Sequence, residues 1–499
     1  MMQNALDKSL GIFAVIAFGL TNEIASGLFF VSTQIQQSSP GVGNLVPLLM
    51  ILGGAITLVT VLAYRYFFAS GLVGAGGEYV MISRSLSPGI AFVVTFLAWF
   101  GFTGALGTLA YAAPHFLAAA AQSFGAIGLG QFLSSTLGIL LTGLIIIWGI
   151  WLVHIRGVRL AGLLVIISMV LVLVTALVLS VYGFATSPAT FSQAIAQHLH
   201  MSATEIENHA PVQSVSWSTA LWSALPVLFF GYLGLSTATQ TGGEARNPKS
   251  DLPKAVLATV LLVTVVYTVF AFAVYHAVPW KVIGGLSALK LANDTTSSGL
   301  LQFVMPSWLG SLINLLVALI VIKTFLPIFM AQSRWVYAWG EDGVIPTVFS
   351  RTHKKYKSPV LALTISAVFG TISLIESAKL GYVFGVNVRV LSVMTVFFCM
   401  GLGMIVFPRH APQLYKNNLS ALAQRRGWQI IIGVFLMAIS VWFAVSISLS
   451  SLNSPLILQP VIQSAIVAAI GVLIYLRFKA KLGRDAHSVV ERFQDAPPQ

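Results

Sequence analysis

Charge is what this chain has least of. Asp, Glu, Lys and Arg make up 8% of its 499 residues, against 57% hydrophobic residues and a mean hydropathy of +0.89. A soluble domain of this size needs far more charge at its surface, so the composition is that of a polytopic membrane protein. Cysteine is nearly absent: Cys399 stands alone in an apolar segment, which excludes an internal disulfide framework. Acidic residues are scarcer than basic ones, 14 against 27, for a formal net charge of +13. In a soluble chain that excess would suggest nucleic acid. The longest basic run, RTHKKYKS at 351–358, carries one tyrosine where a nucleic-acid face needs interleaved aromatic residues, so that reading is excluded. Signatures of catalysis are missing too: there is no HExxH motif, no nucleophile with a nearby base and no pair of carboxylates on one helix. The chain reads as no enzyme, with no cofactor. His198, His200 and His209 have a spacing that matches no tight zinc site, and the apolar spans leave no polar stripe for a channel.

What is abundant is the long apolar run. Such runs fall at about 11–36, 42–68, 88–121, 132–154, 160–184, 217–241, 254–278, 308–338, 359–376, 383–407, 428–450 and 456–478, and predict twelve transmembrane helices in an all-α fold. The first is too long for a signal peptide and lacks its cleavage site. With the N-terminus in the cytoplasm, all but five of the 27 basic residues fall on the inner side. Lys281, Lys290 and Lys379 lie outside, and Lys323 and Arg389 lie within spans. That asymmetry sets the orientation and accounts for the basic pI. The expected organisation is a cytoplasmic N-terminus (1–10), a first set of five helices (11–184), an extracellular loop (185–216), a second set of five (217–407), two further helices with the loop before them (408–478) and a polar, disordered cytoplasmic tail (479–499). The expected location is the plasma membrane of a microbial cell, in a prokaryote its cytoplasmic membrane.

Two spans carry their own interruption. In the first, TNEIASGLFFVST at 21–33, Glu23 lies about 12 residues into the apolar run, close to the bilayer midplane at roughly 1.5 Å per residue. Ala25, Ser26 and Gly27 follow it as a small-residue patch where the backbone can unwind before the helix resumes at Leu28. An unwound turn in a membrane is tolerated only where it lines a protein cavity, and the restarted helix aims free N–H groups into that cavity. In the sixth span, FFGYLGLST at 229–237, Gly231 and Gly234 flank Tyr232. Either glycine pair alone reads as helix packing. Matched interruptions separated by an odd number of crossings are instead the mark of an inverted repeat with a midplane site between its halves.

Further along, several motifs in order resemble the amino acid, polyamine and organocation transporter superfamily, over about residues 10–410. They are IASGLF at 24–29, GAGGEYV at 74–80, GGEARNPKSDLPKAV at 242–256 and SRWVYAWGEDGVIP at 333–346, the last two long and specific. The resemblance implies a LeuT-like five-plus-five inverted repeat with broken helices 1 and 6 plus two C-terminal helices, and secondary active transport of amino acids or related amines. By position it implies that backbone N–H groups around Ile24, Ala25, Ser26, Gly27 and Leu28 take a substrate carboxylate. Carbonyls around Phe230, Gly231, Tyr232 and Gly234 would take the ammonium, with Phe230 as an aromatic wall. The chain departs from the family's pattern where many relatives have a lysine in helix 5 (here Ser168) and some an acid in helix 6 (here Ser236), and where Glu23 and Lys323 replace uncharged residues.

Lys323 lies near the midplane of the eighth span, where a charge costs about 2.5–3.5 kcal/mol, so an unpaired Glu23 and an unpaired Lys323 are not expected. The sequence suggests an ion pair between them at the helix 1–helix 8 contact, the ammonium standing in for a sodium ion. Three roles fit such a pair: proton coupling, with Glu23 as the titrating member and Ser168 nearby; a static strut; or a Glu23 that receives a cationic solute or polyamine. The small-molecule partner is an amino acid or amine and the coupling ion a proton; exchange without proton coupling is the alternative. Arg389, near the outer end of the tenth span, reads first as snorkelling to the outer interface and second as gating the outer vestibule. Glu78, Glu244, Arg246, Asp251 and Arg334 read equally as inner-gate ion pairs or as solvated charge.

Overall fold

The computed structural model describes residues 6–24, 28–29, 32–210, 214–289, 296–380, 386–418, 420–482 and 493. Its elements are helices throughout, because an apolar run in lipid must satisfy each backbone N–H and C=O within its own segment. The principal ones are α1 (Ile12–Glu23), α2 (Val46–Ala69), α3 (Pro88–Ser123), α4 (Thr136–Ile155), α5 (Val158–Ala185), α6 (Trp217–Ser223), α7 (Leu235–Gln240), α8 (Pro248–Ala277), α9 (Ser307–Lys323), α10 (Phe325–Glu341), α11 (Val360–Leu380), α12 (Val386–His410), α13 (Arg426–Ser450) and α14 (Pro460–Leu482). Local chemistry sets several ends. Ser87 caps α3 by accepting from the Ile90 N–H at 3.2 Å, with Pro88 in the first turn. Gly157, at φ 108°, makes the reversal between α4 and α5.

Among the described residues, ten helices are long and apolar enough to cross a membrane, with α9 and α10 together forming one of them. The bent pair Trp217–Ser223 and Leu225–Gly243, 45° apart, makes an eleventh if it is one span, and α1 is apolar but only 12 residues long. The protein is thus an all-helical multi-pass membrane protein, and the two segments short of a regular span are the first and the sixth. The 185–216 segment, expected as a loop, contains helices Pro188–Leu199 and Ala203–Glu207, which bury Phe191, Ile195 and Ile206.

At the end of the bundle that carries the basic loops, buried polar contacts tie neighbouring elements together. Arg84 forms a buried two-point ion pair with Asp342, one contact being 2.8 Å, and Arg334 pairs likewise with Glu244, its Nε 3.1 Å from Oε2. Glu78, outside the spans, accepts from Tyr64 Oη (2.6 Å), Thr239 Oγ1 (3.1 Å) and Gln240 Nε2 (2.7 Å). The GAGGEYV motif has a steric reason here. Gly76 and Gly77 both have positive φ, and a Cβ would lie 2.4 Å from Ala338 Cβ at the first and 2.5 Å from Thr239 Oγ1 at the second. Among the described residues the other two acid and base candidates at this end form no ion pair of this kind: Arg246 donates to the Ser9 carbonyl at 3.1 Å, and Asp251 accepts from Ser250 at the exposed surface. In the tail, Phe493 is buried with its ring 4.9 Å from the Arg84 guanidinium, while the rest of the tail after Leu482 lies outside the described residues.

Candidate functional site

The two interrupted spans meet. α1 is surrounded by α5, α7, α8 and α10, and glycine lets it approach α7. A Cβ on Gly234 would fall 2.6 Å from the Glu23 N and 2.5 Å from its Cγ. Polar atoms then tie the two together. Asn22 Nδ2 donates to the Gly234 carbonyl (3.4 Å), Thr237 Oγ1 to the Phe18 carbonyl (2.8 Å), and the Tyr267 hydroxyl of α8 is shared between the carbonyls of Glu23 (2.5 Å) and Gly231 (3.3 Å). Tyr267 was invisible to a reading of spans, because a tyrosine in an apolar helix gives no sign of which backbone it will reach.

The sixth span differs from a fully unwound break. Its bend lies at Ala224, and over Phe229–Tyr232 the backbone tightens to three residues per turn. The Phe230 carbonyl therefore accepts from the Leu233 N–H (3.3 Å) and the Gly231 carbonyl faces Tyr267, so neither stands wholly free for a ligand ammonium. The Tyr232 side chain turns away and donates to the Met50 carbonyl of α2 at 2.7 Å. In the first span, α1 stops at Glu23, and its last described intrahelical bond runs from the Ile24 N–H to the Leu20 carbonyl. Ile24, Leu28 and Phe29 are buried. Ala25, Ser26 and Gly27, the centre of the expected carboxylate cradle, lie outside the described residues.

Lys323, the last residue of α9 and 6% exposed, reaches this helix end. The ion pair expected with Glu23 is not formed. The ammonium donates instead to the carbonyls of Thr21 and Ile24, the latter at 2.8 Å. The physical reason is the helix terminus itself, whose last carbonyls lack intrahelical donors and carry the negative end of the dipole. A cation at that point caps them directly. Glu23 is consequently left alone: both carboxylate oxygens are buried and unpaired, and the Leu235 N–H turned toward them stays outside hydrogen-bonding geometry. Ser168 is not recruited, since its hydroxyl bonds the Leu164 carbonyl of its own helix at 2.7 Å. Ser236 is buried with its hydroxyl unpaired.

Arg389 does not snorkel. It is 7% exposed, with its guanidinium carbon 4.7 Å from the centre of the Phe102 ring and 5.4 Å from that of the half-buried Phe230. Gly101 makes this possible: a Cβ there would lie 2.7 Å from Arg389 Cα, so α12 rests directly on the α3 backbone. An apolar cavity of about 370 Å³ between α3, α10, α11 and α14 is lined by Trp99, Trp339, Phe369, Ile470 and similar residues, and offers a charged solute nothing.

A multi-pass helical bundle whose interrupted helices converge on buried, unneutralised charge is built as a membrane solute carrier. Residues 10–473 match the amino acid permease family model, and the chain belongs to that family. It is 24% identical over 433 residues to the branched-chain amino acid permease BcaP of Bacillus subtilis, covering 83% of each chain. It is 30% identical over 156 residues to the aspartate-proton symporter of the same organism (29% of each), and 22% identical over 360 residues to cationic amino acid transporter 9, chloroplastic, of Arabidopsis thaliana (70% of this chain, 58% of that one).

Proposed function

We propose that this protein is a proton-coupled secondary transporter of amino acids in the plasma membrane. It works by alternating access around the contact of the first and sixth spans, within twelve spans arranged as a five-plus-five inverted repeat and two C-terminal helices. The observation that carries the reading is the pair of charges at the end of α1: Lys323 occupies the helix-end carbonyls as a fixed cation, and Glu23 sits beside it buried and unpaired. A bound cation that is part of the chain replaces a coupling ion drawn from solution. The carboxylate left without a partner is a mid-membrane group that can gain and lose a proton as the site faces each side in turn. The substrate carboxylate is assigned, on the family resemblance, to the 24–28 stretch, and its ammonium to the acceptors around Phe230 and Gly231. The names of the relatives span branched-chain, acidic and cationic amino acids, so family membership does not choose the side chain.

A second reading is favoured by the same unpaired carboxylate: Glu23 receives a cationic solute as its counter-charge, with no proton movement. Uptake of labelled amino acids into proteoliposomes under an imposed pH gradient separates the two. Coupling predicts that Glu23→Gln abolishes the gradient's effect while counterflow at equal pH persists. Retention of gradient-driven uptake by both Glu23→Gln and Lys323→Met overturns coupling, and loss of cationic substrates alone in Glu23→Gln supports the second reading.

A further inference from the structure

Arg389 is a buried cation with no counterion among the described residues. Among the described residues it forms no ion pair or side-chain hydrogen bond, and its Nε is buried and unpaired. The helices packed around α12 explain why: α3, α13 and α14 contain no acidic residue at all. The one carboxylate on the short helix Glu78–Ser85, which also packs on α12, is fully engaged by Tyr64, Thr239 and Gln240 at the basic end of the bundle. Two aromatic rings lie against the guanidinium as cation–π partners, and these contacts consume none of its N–H donors. One of those rings is Phe230, whose neighbour Gly231 shares the Tyr267 hydroxyl with Glu23. The cation therefore lies against the residue next to the contact between the interrupted spans.

We infer that Arg389 is the specificity-determining residue of this site and that it selects amino acids carrying a second carboxylate, of aspartate or glutamate size. A guanidinium edge matches a carboxylate with two parallel N–H···O contacts, and a buried one loses heavily when its partner is missing. Formal charge points the same way. Lys323 and Arg389 are two cations against the single carboxylate of Glu23, and a dicarboxylic zwitterion brings the net −1 that balances them. A lysine-like or polyamine solute would instead set like charges together in a desolvated pocket. This inference rests on the transport reading above.

The test is counterflow in proteoliposomes of the purified full chain, with tritiated L-aspartate and tritiated L-leucine as separate probes and L-lysine as a competitor. Wild type is expected to exchange aspartate at least about tenfold better than leucine, with lysine failing to compete. Arg389→Gln should lower the aspartate-to-leucine ratio by about tenfold or more, and Arg389→Lys should restore part of it. Wild type exchanging leucine or lysine in preference to aspartate and glutamate overturns the inference while leaving transport intact, and so does an unchanged ratio in Arg389→Gln. Absence of exchange of any amino acid overturns the transport reading itself. Should Arg389→Gln fail to fold, the wild-type rank order decides alone, checked by whether aspartate raises the thermal midpoint more than leucine does.

Discussion

A charge held at mid-membrane costs about 2.5–3.5 kcal/mol, and Lys323 offsets that by standing where α1 presents carbonyls with no donor of their own. Replacing it with methionine removes the cap as well as the charge. Lys323→Met is therefore expected to lower the thermal midpoint in detergent and to abolish pH-driven uptake, both read on the same preparation. Tyr267 is the uncharged counterpart. Tyr267→Phe leaves the Glu23 and Gly231 carbonyls without their shared donor, a loss of about 1–3 kcal/mol for buried acceptors, visible as a lower midpoint. Gly234 tests the contact sterically. Its alanine variant forces a Cβ into the Glu23 backbone, and overpacking of this kind costs about 1–3 kcal/mol, so a variant that folds as well as wild type with full transport would contradict the packing described here.

Between elements, the basic end depends on the segment before α3 meeting α7 and α10. Glu78 is the titratable part of that junction. Burial pushes its carboxyl up from an ordinary value of 4.5 to about 7, and the hydrogen bonds from Tyr64, Thr239 and Gln240 offset part of the rise. Because the folded state then holds a proton that the unfolded chain has released, the contribution of Glu78 to stability is greatest in acid and is lost as pH rises from about 4.5 through 7. Glu78→Gln removes the titration while keeping one acceptor oxygen for Tyr64 and Thr239. The midpoint of wild type should fall more between pH 5 and pH 8 than that of the variant, measured in the same detergent; parallel curves would remove Glu78 as the cause.

For the molecule as a whole, the two buried ion pairs, Arg84 with Asp342 and Arg334 with Glu244, join elements at the basic end. Breaking a buried pair by removing one partner leaves an uncompensated charge, so Arg334→Ala should shift the population toward a form open at that end. The chain has a single, buried cysteine, which makes this measurable. In a Cys399→Ala background, a thiol placed by Ser236→Cys should label faster with a membrane-impermeant maleimide from the basic face once Arg334 is removed. An unaltered rate would mean that the pair does not control access.

The apolar runs, the basic asymmetry and the two glycine-bearing interruptions determined by themselves that this is a multi-pass helical membrane protein with charge buried at mid-depth, since bilayer thickness and backbone hydrogen bonding act on any sequence alike. The motif order likewise pointed to the permease family, and the notable residues Glu23, Lys323, Phe230 and Arg389 could be picked out one by one. Their partners could not. Lys323 reaches carbonyls rather than Glu23, Arg389 lies between Phe102 and Phe230 rather than at the interface, and Tyr267 joins two backbones that sequence leaves unrelated. Each of these depends on close approaches across long sequence separations, set by glycines such as Gly101 and Gly234, and only the packed bundle decides which side chain finds which carbonyl or ring.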